Sequence, residues 1–221
     1  MVRRTLLHVL WGVALFASWG CEQQARPARP TGAASAVLSD PTEAQLLAQL
    51  DAKYENPVVH YELARLYHKS QVWLKARFHY DLAISFDPAY KPAQAGKVKL
   101  FVDRGQTADA EQYANGYIRQ AAAGGVTEML RLGWEFEQVG LDVYALRCYR
   151  QAVDGAPDSP EANRQIGFYY VSKGDQAQAK QYLMRSFELD PRQPDVAGAL
   201  GRLGVVVESP LAPEPMTTRP K

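Results

Sequence analysis

The sequence predicts an all-α fold, a superhelical stack (α-solenoid) of antiparallel helix pairs, and three observations predict it. One pattern recurs after 34 residues: Leu132-Gly133, Phe136, Ala145, Tyr149, Ala152 and Pro157, then Ile166-Gly167, Tyr170, Ala179, Leu183, Ser186 and Pro191. A period of that size marks units of two short helices, each unable to bury its apolar face alone. Glycines and prolines fall where such helices must turn or stop, at Gly105, Gly140 and Gly174 between partners and at Pro88, Pro157 and Pro191 after them. Composition agrees, with 47% hydrophobic and 22% charged residues and twelve tyrosines, whose rings pack while the hydroxyl stays near water.

Taken in order, residues 1–20 read as a targeting segment. Arg3-Arg4 is a positive start, residues 5–17 are a mostly apolar run interrupted by His8, and Ser18-Trp19-Gly20 precedes Cys21. That run is too short for an ordinary membrane span and has the layout of a secretory signal. The segment resembles a bacterial lipoprotein signal, which implies lipidation at Cys21. It departs from that pattern at Ser18 and Trp19, and Ser18-x-Gly20 also suits cleavage by a general signal peptidase without lipid. Two or more acyl chains anchor a protein stably, at ~0.8 kcal/mol per buried methylene, so the two alternatives differ in where the protein resides. Glu22 rather than Asp after the cysteine leans, by the same resemblance, towards the outer membrane.

Residues 21–39 carry prolines, alanines and polar residues without apolar periodicity and are expected to be a disordered linker, as are residues 208–221 with four prolines. A helix should begin at Asp40-Pro41-Thr42-Glu43, with Asp40 as N-cap, proline at N1 and Glu43 placed to reach back. Asn56-Pro57 repeats that signal and opens the first full unit. The unit boundaries fall at 57–90, 91–125, 126–159 and 160–193, with a capping helix over 194–207. The second unit is degenerate, with Lys97-Val98 where a small residue should be and Asn115-Gly116 inside its second helix, where glycine costs ~1 kcal/mol relative to alanine.

This is similar to the tetratricopeptide repeat, whose signature places a Leu-Gly pair, an aromatic, an alanine and a closing proline at these spacings. The position that the signature gives to Trp is filled by His60, Gln94, Met129 and Asn163. The resemblance implies a concave groove lined by first helices, at the second, fifth, ninth and twelfth positions of each unit. Mapped here, these give the candidate peptide-binding residues Tyr61, Arg65, Lys99, Leu130, Trp134, Arg164 and Phe168. Residues four apart share a face, so Tyr61 with Arg65, Leu130 with Trp134 and Arg164 with Phe168 form three pairs suited to an extended or helical peptide, with Arg65 or Arg164 free to take a carboxylate. Trp134 and Phe168 either line that groove or pack between neighbouring first helices.

Other chemistries find little support. Outside the targeting segment 23 basic residues face 24 acidic, which argues against nucleic acid. No phosphate loop, nucleophile elbow or zinc motif is present, so no catalytic residue, metal or cofactor is expected and no small-molecule substrate. His60 and His68 lie two turns apart, too far to share an ion, and Cys148 reads as a small buried apolar residue. Lipidated cysteine, linker and small helical stack together resemble the pilotin lipoproteins of type IV pilus assembly. They imply a non-enzymatic scaffold, membrane-anchored by its N-terminal lipid, that binds a protein or peptide partner in the cell envelope. The alternatives are a soluble periplasmic or secreted binding module and a recruiter for an envelope enzyme or for outer-membrane assembly or motility machinery.

Overall fold

A computed structural model describes residues 41–207, and among them there are ten α-helices and no strand. A single helix, α1 (Pro41–Ala52), precedes four antiparallel pairs: α2 (Pro57–Lys69) with α3 (Trp73–Phe86), α4 (Lys91–Asp103) with α5 (Thr107–Ala123), α6 (Val126–Gln138) with α7 (Asp142–Gly155), and α8 (Pro160–Ser172) with α9 (Gln176–Leu189). The last helix, α10 (Pro194–Arg202), packs on α9. This is the tetratricopeptide-repeat α-solenoid: α4 touches α2 and α6, α6 touches α8, and these first helices together form one face. The targeting segment, Cys21, the linker, the Asp40 cap and the tail lie outside the described residues.

Local chemistry sets the helix ends. The Asn56 side chain accepts the amides of Val58 and Val59, and Ser159 Oγ accepts that of Ala162 at 3.1 Å, each just before a proline at the first helical position. Between partners the chain turns through the left-handed region at Gly105, Gly140 and Gly174, with φ of 71°, 74° and 76°. The first unit makes the same turn on Gln71 at φ 58°, a conformation that a residue with a Cβ adopts at a cost.

Close approach within a pair explains the small residues of the repeat. A Cβ on Gly133 would sit 2.7 Å from the Tyr149 ring, and one on Gly167 2.7 Å from Leu183. The second unit solves the same problem in reverse: Val98 fills the small position and Ala114 the bulky one, both fully buried, so the sizes are exchanged. Its glycine lies two residues earlier, at Gly96, where a Cβ would strike the Tyr80 ring arriving from the preceding unit.

The residues at the signature's Trp position have a shared role that composition hides. His60 Nε2 lies 3.0 Å from the Tyr54 carbonyl, Gln94 Nε2 donates to the Pro88 carbonyl at 2.6 Å, and Asn163 Nδ2 donates to the Pro157 carbonyl at 2.9 Å. Each reaches six residues back and ties the incoming loop to the helix it precedes. Met129 follows the extra residue at Gly124-Gly125 and makes no such bond.

Polar contacts stitch one unit to the next. Lys97 Nζ lies 2.6 Å from Asp81 and 3.8 Å from the Tyr113 ring centre, and Arg147 donates to Glu111 and Asn115 at 2.8 and 2.7 Å. The bond to Arg147 gives Asn115 a reason to stand inside α5, which runs unbroken through Asn115-Gly116. The Glu43 carboxylate accepts the Tyr67 hydroxyl at 2.5 Å and fastens α1 to α2.

Candidate functional site

Two concavities open on the face built from first helices. One, of about 870 Å³, is lined by Tyr61, Glu62, Arg65 and Lys69 of α2, Gly96, Lys99 and Asp103 of α4, and Tyr80 behind them. The second, of about 830 Å³, is lined by Tyr90, Lys91 and Pro92 at the start of α4, Leu130, Arg131, Trp134 and Glu135 of α6, and Glu161 and Gln165 of α8. Both volumes fall in the range of sites that hold peptide side chains or small ligands.

The sequence-derived residues divide between these places. Tyr61, Arg65 and Lys99 share the first concavity, and Leu130 and Trp134 share the second. In the first, the Arg65 guanidinium lies 5.7 Å from the centre of the Tyr61 ring but also reaches Glu62 at 3.0 Å, while Lys99 pairs with Asp103, which His68 contacts at 3.0 Å. Arg65 and Lys99 are therefore already engaged. Tyr61 meets Tyr90 edge-on at 5.6 Å, and this aromatic contact separates the two concavities. Burial raises the pKa of both hydroxyls, that of Tyr90 to about 12, so both are neutral donors at physiological pH.

Arg164 and Phe168 stand elsewhere, and here the expectation is corrected. Arg164 Nε donates to Asp195 at 2.7 Å and Nη1 to Glu161 at 3.1 Å, binding α8 to α10, so the guanidinium is not free for a ligand carboxylate. Phe168 lies under that guanidinium at 5.5 Å and packs against the cluster of Leu183, Val196, Ala199 and Leu200. It belongs to the seam between the last repeat and its cap.

Trp134 behaves differently from Phe168 although it occupies the same position in its unit. It is 50% exposed, whereas Leu130 one turn earlier is 7% exposed and forms the floor. Beside it is Glu135, which sequence reasoning missed because the tenth position of a unit is not one that the resemblance assigns to the groove. No hydrogen bond or ion pair within the described residues reaches the Glu135 carboxylate, and burial raises its pKa against a smaller opposing pull from Arg131. Tyr90, in the loop before α4, was also missed, since only the superhelical turn brings that loop beside α6.

Among the described residues no group of three or more His, Cys, Asp or Glu is placed to hold a metal ion, and none of their helices is long and apolar enough to cross a membrane. Cys148 is fully buried, with its thiol pKa pushed up to about 12 by burial, so it is not a nucleophile.

No known family's model matches the chain, and no curated protein matches it. Solved structures are similar at low identity. They include YrrB, described as a tetratricopeptide-repeat protein with an unusual peptide-binding site (20% identity over 72% of this chain and 81% of that one, TM-score 0.36). A MamA structure (14%, 66% and 80%, TM-score 0.39) and pilF of Pseudomonas aeruginosa (18%, 66% and 67%, TM-score 0.37) are also similar. At these identities the likeness concerns the fold alone.

Proposed function

We propose that this chain is a non-enzymatic adaptor that docks a partner protein on its concave face. It is held by lipid on Cys21 at the bacterial outer membrane facing the periplasm, where it assists assembly of an envelope complex of the type IV pilus or secretin kind. The observation that carries the docking reading is Trp134: a half-exposed indole over a buried leucine, in a concavity whose scaffold residues leave it no internal role. Trp and Tyr dominate interface hot spots because they bury large area at small entropic cost. The anchor and the pathway rest on the sequence alone, on Arg3-Arg4, the apolar run, Gly20-Cys21 and the linker. Ser18-x-Gly20 supports the competing reading of a soluble periplasmic or secreted module.

Two measurements test this. Membrane fractionation of wild type against Cys21→Ala should move the protein from pellet to supernatant, and equal solubility of the two removes the anchor. Affinity capture from envelope extract with wild type, Trp134→Ala and Val143→Ala separates the faces, since Val143 is 72% exposed on a second helix. A partner lost only with Trp134→Ala supports the concave face, and a partner retained by it refutes that assignment.

A further inference from the structure

We propose that the concavity between α4, α6 and α8 takes a lysine or arginine side chain of the partner, its cationic head on Glu135 and its stem against Trp134 and Tyr90. The inference rests on the concave-face reading above and adds the chemistry of what is read there.

Charge bookkeeping points to the sign. Asp87, Glu128, Glu135 and Glu161 line the cavity against only Lys91 and Arg131. Both cations are drawn to one acid, Lys91 at 3.1 Å and Arg131 at 3.3 Å from Glu128. Glu161 is held by Arg164 at 3.1 Å, and Asp87 Oδ1 accepts the amide of Ala89 at 2.9 Å. Glu135 alone among these acids has no partner within the described residues. A carboxylate partly withdrawn from water without a partner is unfavourable in the free protein, and a bound cation offsets that cost.

The walls fit the same occupant. Aromatic faces attract cations, Trp most strongly, and long basic side chains lay their methylenes on apolar surface while the head finds a charge. Trp134, Tyr90 and Leu130 supply that surface on the sides and floor of the cavity. A ligand carboxylate would meet an excess of negative charge. A neutral apolar side chain would withdraw Glu135 further from water without compensating it. Only a cation satisfies both the carboxylate and the rings.

The probe is a random dodecapeptide display library selected on the full-length, detergent-solubilised protein, followed by anisotropy with synthetic copies of the enriched peptides. We expect a shared Lys or Arg, at least tenfold weaker binding to Glu135→Gln, and an equal loss when that residue is replaced by norleucine or citrulline. The two losses should not add, because they remove one interaction. Glu135→Gln breaks no hydrogen bond or ion pair among the described residues and should melt no lower than wild type, so a folding failure overturns the assignment by showing Glu135 to be structural. Peptides that depend on Trp134 but carry no basic residue, or ignore Glu135→Gln, overturn the inference and leave the docking face standing. Enriched peptides that are all indifferent to Trp134→Ala, or no enrichment at all, overturn both.

Discussion

Acidification from about pH 7 to pH 5 should loosen the first repeat before the others. The cause is a pair of buried histidines, His60 of α2 and His79 of α3, whose Nδ1 atoms lie 3.0 Å apart. Tautomers follow from the surroundings. His60 Nε2 faces the Tyr54 carbonyl at 3.0 Å and must donate, which leaves its Nδ1 as acceptor and makes His79 Nδ1 the donor. A proton added to His60 would set two N–H groups against each other. Burial lowers both pKa values, that of His79 to about 4, helped by His60 and by the Lys75 ammonium and opposed by Glu43.

These groups bind protons more readily in the unfolded chain. The stability they contribute is therefore complete above the unfolded pKa of about 6.5 and is lost as pH falls towards the folded value. For one histidine moved from 6.5 to about 4, the loss between pH 7 and pH 5 is about 1.8 kcal/mol, and partial screening lowers it to roughly 1–1.5. Glu111, Glu128 and Asp190, whose pKa values are lowered chiefly by hydrogen bonds from Arg147, from Lys91 and from the Arg192 amide, contribute in the same direction only nearer pH 4. The window thus isolates the histidines of the first repeat, the pair together with His68 of α2, whose pKa burial also lowers against the pull of Asp103. Solenoids unfold unit by unit, so the effect should appear in hydrogen exchange of α2 and α3 before α8 and α9, and in urea melts followed by circular dichroism. The control is the double variant His60→Gln with His79→Phe. Gln94 shows that glutamine at this position can reach the same loop carbonyl. The double variant should lose clearly less than wild type over this pH range, the remainder belonging to His68. If it loses as much as wild type, the histidine pair is not the cause.

Substitutions in the scaffold follow from the same geometry. Gly116→Ala places a methyl in open space inside α5 and should stabilise by about 1 kcal/mol, read as a rise in melting temperature. Gly133→Ala puts its Cβ 2.7 Å from the Tyr149 ring and 3.0 Å from Cys148 Cβ, and should destabilise by about 1–3 kcal/mol in a urea melt. Gln71→Gly relieves a left-handed residue in the turn between α2 and α3 and should stabilise by about 0.5–1 kcal/mol, whereas Gly140→Gln should lose a comparable amount. Trp134→Ala, at half exposure, should cost well under the ~3–5 kcal/mol of a buried tryptophan in the same assay.

The sequence and the structure agree most where the repeat constrains both. Pro57, Val126 and Pro160 begin helices because a cap, a glycine or a fixed φ stops any earlier start, and Gly133 and Gly167 are small because Tyr149 and Leu183 occupy the space. Such features repeat at a fixed period and so announce themselves. Features made by the superhelical turn do not. Nothing in the local sequence says that Tyr90 meets Tyr61, that Asp195 of α10 binds Arg164 of α8, or that Gly96 receives Tyr80. Phe168 and Trp134 show the difference within one position. The pattern treats them alike, but the cap helix supplies Val196 and Leu200 for the phenylalanine, and none of the described elements covers the tryptophan.

That asymmetry is the basis for locating function in the middle of the stack. Arg65, Lys99 and Arg164, the cations expected in the groove, each have a structural errand: Arg164 joins α8 to the cap, Arg65 answers Glu62, and Lys99 converges with His68 on Asp103. In the third repeat Arg131 is taken by Glu128, yet a half-exposed Trp134 and a Glu135 without hydrogen bond or ion pair among the described residues stand side by side. An exposed indole and a partly desolvated, unpaired carboxylate each weaken a free protein slightly. Their adjacency within one cavity makes a single cause, a cationic ligand group, more economical than two separate accidents. The decisive quantity is the coupling between them. If the losses of ligand affinity from Trp134→Ala and Glu135→Gln simply add, the two residues engage the ligand independently, through separate groups. If the double variant loses less than the sum, one bound group engages both.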